Sequence, residues 1–395
     1  MLAKRRLLLA VASALSLLMA ATAPMAAGYK EAAPSPLRQA GLLRVKDIAA
    51  NGATNKGPIV AVGWHEGSKP GQLYLAFSTD GGKDYRRTNG NLRRYRIVGD
   101  TKLGMSLAIC AGKVWVGSTF KDAGSGATRV FLTSRTIGGG ASQAFVTPGD
   151  GRRVRDVSVA CVGNKLLAIG WLEKKDGQNR TRLVLRSTES AAVEPAIEKK
   201  YKFGPAQFKS GIAVAGTPAA ALVAWVDDGN LRLKRFDVSA DDASDVTSGP
   251  PSTVAWRDVT GPQMAARGKK VALAFSDAGK AKAKLSSDLG ASFGEVNVLA
   301  RPGSIKAPTK VYSADVIGDR VVIEFGVNRK GVITPTRLQS TDGGGSWGER
   351  TFGHIGARMG ALLKKKGKAP LLMEAWHNNA PKTGADTFRA KYETP

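Results

Sequence analysis

Apolar and polar residues alternate along most of the chain. Segments such as RVRDVSVACVG (153–163) and RTRLVLRSTE (180–189) change character at every second position and are bounded by Gly, Asn and Asp. That period of two, with β-branched residues and frequent turn signals, predicts strands. Beyond the N-terminal leader no stretch sustains the 3.6-residue period of a helix. Short apolar runs then recur at a near-constant distance. IVAVGW ends at Trp64, LLAIGW at Trp171, ALVAW at Trp225, VALAF at Phe275, VVIEF at Phe325 and LLMEAW at Trp376, while VWVGS, ending at Ser118, fills the remaining gap. Successive endpoints lie 54, 53, 54, 50, 50 and 51 residues apart. A fixed period of this length marks a repeated supersecondary unit.

Seven units of three or four antiparallel strands predict an all-β fold, a seven-bladed β-propeller with six blades as the alternative count. Three octapeptides sit in register with the repeat: STDGGKDY at 78–85, SSDLGASF at 286–293 and STDGGGSW at 340–347. Each reads Ser, any, Asp, any, Gly, any two, aromatic. The Ser and Asp side chains suit hydrogen bonds inside a tight turn, the Gly suits a backbone conformation that a side chain forbids, and the aromatic suits anchoring under the sheet. On Ser78, Asp80, Gly82 and Tyr85, on Ser286, Asp288, Gly290 and Phe293, and on Ser340, Asp342, Gly344 and Trp347, the chain resembles the Asp-box (BNR-repeat) propellers, the superfamily that includes sialidases. Weaker forms occur at Ser134/Thr136/Gly138 and Ser187/Glu189. The resemblance implies Asp-box turns on the face opposite the ligand, and implies nothing about catalysis. Sialidases have six blades, and seven units are counted here. The seventh unit ends at Tyr392 after its third strand, so closing the ring needs an N-terminal segment within Tyr29 to Leu43 to pair with it.

Composition adds a partner class. The formal net charge is +27, and the first residues, MLAKRRLLLAVASALSLLMAATAPMAAG, read as an export signal cleaved near Ala27. The expected organisation is therefore a signal peptide at 1–27 and a single propeller domain at 28–395, in a periplasmic or secreted protein. Removing the signal's three cations leaves 27 − 3 = 24 positive charges. Such a balance attracts anions over long range: an anionic glycan, a lipid headgroup or an acidic protein, with nucleic acid only as a non-specific partner. No segment of the mature chain is long and apolar enough to span a bilayer. Export permits a disulfide between Cys110 and Cys161. Both lie in apolar strand-like runs, which favours two buried thiols over a bridge.

Candidate chemistry clusters at the predicted start of the innermost strands. Fifteen to eighteen residues before each unit's marker stands a cation: Lys46, Lys102, Arg155, Lys209, Arg257, Lys310 and Arg358. In a propeller these positions surround the mouth of the central channel and form a ligand-binding ring. His65, His354, His377 and Glu66 fall in loops of the same face, without metal-ligand spacing, so no metal site and no cofactor is expected. A sialidase-type enzyme needs three arginines on a carboxylate, a Tyr/Glu nucleophile pair and an acid. Arg155, Arg257 and Arg358 fit a clamp, with Asp100 or Asp258 as acids, but no Tyr/Glu pair is assigned. The family's FRIP signature is matched only by YRIV (95–98), which reads as an outer strand. Two functions follow: a non-catalytic exported propeller holding an anionic ligand on a basic face, or a sialidase-like glycoside hydrolase with diverged catalytic residues.

Overall fold

The computed structural model describes residues 35–39 and 43–393 apart from the connecting segments 52–57, 67–71, 83, 86–93, 98–103, 122–124, 137–139, 148–151, 164, 190–197, 207–210, 239–245, 256–257, 296, 301–309, 330–331, 353–357, 366–367 and 379–386. The export signal at 1–27 lies outside the described residues. Several strand side chains, including those of Lys46, Glu66, Trp376 and His377, are likewise not described.

The chain is a β-propeller of consecutive antiparallel sheets. Six sheets are each built from successive strands, with inner strands Leu43–Asn51, Met105–Cys110, Arg153–Val162, Ile212–Gly216, Val259–Arg267 and Lys310–Ile317. They are numbered blades 1 to 6. A seventh sheet is composite: Arg358–Lys365, Lys368–Asn378 and Thr387–Glu393 are completed by the N-terminal strand Ser35–Gln39. Ser35 pairs with Ala390 and Gln39 with Thr387, antiparallel, as ring closure requires. Each inner strand packs against the next, and that of blade 7 against that of blade 1. Tyr95, Arg96 and Ile97 of YRIV fall on the outer strand of blade 1, Arg94–Ile97, and Val98 lies outside the described residues.

The alternation of the strands explains the stacking. Each sheet presents apolar side chains to both neighbours, so the core is a series of wedges between blades. Ile48, Val60 and Trp64 of blade 1 meet Leu363 and Met373 of blade 7, and Val162, Leu183 and Leu185 of blade 3 meet Val214 and Trp225 of blade 4. One wedge is small. Among the described residues the apolar cluster between blades 6 and 7 comprises Val322, Leu362 and Leu372, with Ile317 against it.

The three octapeptides fold alike. Ser78, Ser286 and Ser340 accept the N–H of Gly82, Gly290 and Gly344 at 2.9, 2.9 and 2.8 Å, and each serine hydroxyl donates to the Asp two residues on. Asp288 and Asp342 also accept from Ser292 and Ser346, and those bonds hold both carboxyls well below the usual carboxylate range. Tyr85 is buried in the wedge between blades 1 and 7, while Phe293 and Trp347 pack at the edges of theirs. Of the weaker forms, Ser134 instead bonds Ser142 across to the outer strand, Ser187 accepts the N–H of Glu189, and Gly138 lies outside the described residues.

The turn glycines also touch the preceding blade. A Cβ on Gly82 would meet Met373 of blade 7, one on Gly290 would meet Leu222 of blade 4, and one on Gly344 would meet Leu285 of blade 5. Gly344 has φ +99°, a region closed to side chains. Gly344→Ala combines backbone strain with a collision against an apolar neighbour, and should cost roughly 2–4 kcal/mol, read as a lowered urea midpoint.

Cys110 and Cys161 form a disulfide, contrary to the expectation of two thiols. They sit at the ends of the inner strands of blades 2 and 3, which the ring makes neighbours. Closing a loop of sequence separation 51 is worth about 2–4 kcal/mol. Cys110→Ser/Cys161→Ser should lower the melting temperature, and a reducing agent should destabilise the native chain without affecting the double variant.

Candidate functional site

The channel down the ring axis is where side chains from all seven blades converge. It encloses about 170 Å³ and is lined by small and aliphatic residues of the inner strands, alanines most often, with Asp47, Asp315, Ser106, Ser158, Ser313, Gln263 and Arg267 as its polar groups. Inner strands are edge strands, with one row of backbone N–H and C=O groups that no ladder can pair. Side chains of the preceding blade fill that role. Asp47 Oδ2 accepts the N–H of Leu107 at 2.6 Å, Asp156 Oδ2 that of Ile212 at 3.1 Å, and Asp315 Oδ2 that of Leu362 at 2.7 Å. In all three the other oxygen accepts the next residue's own N–H, from Ile48, Val157 and Val316. Ser106, Ser158 and Ser313 accept Val159, Val214 and Gly360 N–H in the same sense. One rule thus operates from blade 1 to 2, 2 to 3, 3 to 4 and 6 to 7.

Burial pushes the Asp47 carboxyl up to about 7, against the downward pull of the Leu107 and Ile48 N–H groups. Asp156 and Asp315 are raised by burial as well; Arg155 and Lys310 pull the first back, and Arg267 the second. Arg267 reaches across the end of the channel. Its Nε lies 3.7 Å from Asp315 of blade 6 and its Nη2 donates to the Ala50 carbonyl of blade 1.

The predicted cations separate into three groups. Arg155 and Lys310 are exposed at the starts of their strands, the face opposite the octapeptide turns. They come from blades 3 and 6, on opposite sides of the ring, yet both act on the Asp156 carboxyl. Arg155 occupies a bulge in the pairing between Val154 and Asp156, and Lys46 occupies the matching bulge between Val45 and Asp47. Lys310 lies 5.8 Å over the Tyr312 ring. Lys102, Lys209 and Arg257 lie outside the described residues, as does the side chain of Lys46.

Arg358 is different. It is 2% exposed, its Nε donates to Glu374 Oε1 at 2.7 Å and its Nη2 to Oε2, and Phe352 covers it with the ring 3.6 Å from Cζ. Arg337 donates to the same Glu374 at 2.7 Å. Glu324 shares this interior. Burial first, and then the Glu374 charge, push its carboxyl well above the ordinary range. The cluster fills the blade 6–7 interface where apolar side chains are few, and it removes Arg358 from the channel mouth.

No family model matches the chain, and no curated protein does. Solved structures do. The Cps50 (Swd1) β-propeller domain of Myceliophteria thermophila aligns with TM-score 0.53 over 92% of this chain and 99% of its own, at 12% identity. Other solved structures match with lower TM-scores. They include a Trypanosoma rangeli sialidase in complex with sialic acid (TM-score 0.40, 14% identity, 78% of this chain and 56% of that one) and the phage phi92 endosialidase (0.47, 11%, 93% and 69%). The chain thus spans little more than half the length of the trypanosomal enzyme, and identities this low speak for fold alone.

His65 is part-buried on the second strand of blade 1, whereas His354 and the side chain of His377 are not described. Among the described residues no group of three or more His, Cys, Asp and Glu is arranged to hold a metal ion, and no helix is long and apolar enough to cross a membrane. The channel carboxyls escaped the sequence reading although a signal was present. A cation followed by Asp and a β-branched residue occurs as Lys46-Asp47-Ile48 and Arg155-Asp156-Val157, where the Asp holds the next blade, and also as Arg257-Asp258-Val259, where Asp258 is exposed.

The raised Asp47 sets a pH dependence. A folded state that holds a proton more tightly than the unfolded chain gains stability below the unfolded value near 3.9, and loses it as pH rises toward 7. The unfolding free energy should fall between about pH 4.5 and 7.5, by an Asp47 share on the order of a few kcal/mol. Asp47→Asn, which cannot ionise, should flatten the slope in urea titrations at the two ends of that range.

Proposed function

We propose that the chain is an exported Asp-box propeller that binds an anionic ligand, without catalysis, on the face where its inner strands begin. The carrying observation is the convergence of Arg155 and Lys310. They come from opposite sides of the ring, both exposed, and neither is ion-paired among the described residues. Lys46, Lys102, Lys209 and Arg257 belong to the same ring on repeat position, and the high positive charge draws an anion toward it. Arg358 is left out of the ligand set because Glu374 and Phe352 already enclose it.

The likeness of the three octapeptide turns supports the Asp-box reading, and the leader sequence supports the periplasmic or secreted location. The competing reading is a sialidase-like glycoside hydrolase. One of the three guanidiniums that would form the clamp, Arg358, is occupied by a buried glutamate, which favours binding over turnover.

The mature protein should be retained on heparin resin in a salt-dependent way. Lys46→Gln/Arg155→Gln/Lys310→Gln should elute at markedly lower salt while remaining folded, since two of the three side chains are exposed and make no ion pair among the described residues. Unaltered elution would remove the ring from the binding surface. Hydrolysis of a fluorogenic sialoside by the purified chain would favour the enzyme.

A further inference from the structure

The corner of blade 3 beside the channel mouth carries charge that its own acids do not balance. Arg153 on the inner strand and Lys174 on the second strand (Leu166–Lys175) are direct cross-strand partners. Both are exposed, and neither makes an ion pair among the described residues. Like charges set opposite each other across an antiparallel pair oppose folding, so the arrangement is not there for stability. Lys174 in turn pairs with Asn179 on the third strand (Gln178–Ser187). The three side chains therefore form one row on one face of the sheet, roughly 10 Å across at ordinary strand spacing.

The orientation of the row follows from its neighbours. Val154, the next residue along, lies in the wedge shared with blade 2, so Arg153, Lys174 and Asn179 stand on the blade 4 side. The nearby acids are committed elsewhere. Glu173 is fully buried and takes Arg152 Nη1 at 3.1 Å, Arg182 Nε at 2.6 Å and Trp171 Nε1 at 3.1 Å. Asp156 caps Ile212. Of the described residues at this corner, Asp176 at the hairpin tip is the one exposed acid. Asn179 adds a different kind of group: its Oδ1 is buried and makes no hydrogen bond among the described residues.

We propose that this row is a binding site for an acidic polysaccharide. The sugar's carboxylate or sulfate groups pair with Arg153 and Lys174, and the half-buried Asn179 side chain turns outward on binding so that its Oδ1 accepts a ring hydroxyl. A bare chain of phosphates supplies the charge but not the hydroxyl donor. The site rests on reading the basic face as an anion-binding surface, and it lies off the channel axis, on residues outside the mouth ring.

The test is calorimetric titration of the mature chain with a defined heparin oligosaccharide and with polyphosphate of matched charge. Arg153→Gln/Lys174→Gln should weaken oligosaccharide binding roughly tenfold. Asn179→Ala should weaken it about threefold while leaving polyphosphate unaffected. Lys174→Gln alone should raise the melting temperature by ~1 °C at low salt, because it relieves the opposed charges. A double variant that binds as tightly as wild type, while Lys46→Gln/Arg155→Gln/Lys310→Gln does not, overturns this site and leaves the mouth ring standing. Loss of affinity for both probes on Asn179→Ala, or for neither, overturns the polysaccharide assignment. Absence of binding to either probe by the unaltered chain removes the basic-face reading itself.

Discussion

The structure depends on how an unpaired backbone edge is satisfied at the hub of a ring. Seven inner strands meet there, and each turns one row of amide groups toward a channel too narrow for another strand. An amide buried without a partner costs more than a typical hydrogen bond returns. Asp47, Asp156 and Asp315 answer with two oxygens each, one for their own strand and one for the next blade. The same contact that satisfies the edge sets the order and spacing of neighbouring sheets. Its drawback is a carboxylate held away from water, hence the upward displacement of all three acids.

The interface between blades 6 and 7 shows a second solution to the same packing problem. Where the other wedges hold larger clusters of apolar side chains, this one holds Glu324, Glu374, Arg337 and Arg358 around a few aliphatic residues among those described. Removing one partner from such a group strands the others in a dry interior, which is far costlier than never having buried them. It is also the junction beside the sheet assembled from both chain ends. Gly360 lies against this group: a Cβ there would press on Leu372 Cδ1 at 3.2 Å and stand in ordinary contact with Glu324.

Much of this architecture is legible in the sequence because a repeat averages out local ambiguity. One strand of alternating residues is weak evidence, but seven in step with Trp64, Trp171 and Trp225 fix direction, neighbours and the need for a closing segment between Tyr29 and Leu43. The turn residues are equally readable, since Ser340, Asp342 and Gly344 do their work within five positions. Contacts across blades are harder. The bond between Cys110 and Cys161 spans one repeat, and the local apolar setting of each pointed to thiols, whereas adjacency of the two inner strands decides the matter. The pairing of Arg358 with Glu374 depends on strand register and on Phe352 folding over it, and neither is visible in the spacing of cations. Arg155 and Lys46 drew attention through their charge, while the adjacent Asp156 and Asp47, which bind the ring together, read as ordinary polar positions in alternating strands.

The composite seventh sheet ties the two ends of the chain into one object. Of the described strands its rim, residues 35–39, precedes and its partner, residues 387–393, follows all the others, so a growing chain that lacks residues 387–393 has no finished circle. Until the ends meet, the last blade offers a naked margin, and a second molecule's opening strand fits it as well as its own. Crowded, newly made chains therefore have a built-in route to exchange their first strands and become interlocked pairs, a hazard that a propeller closed within one contiguous segment does not carry in this form.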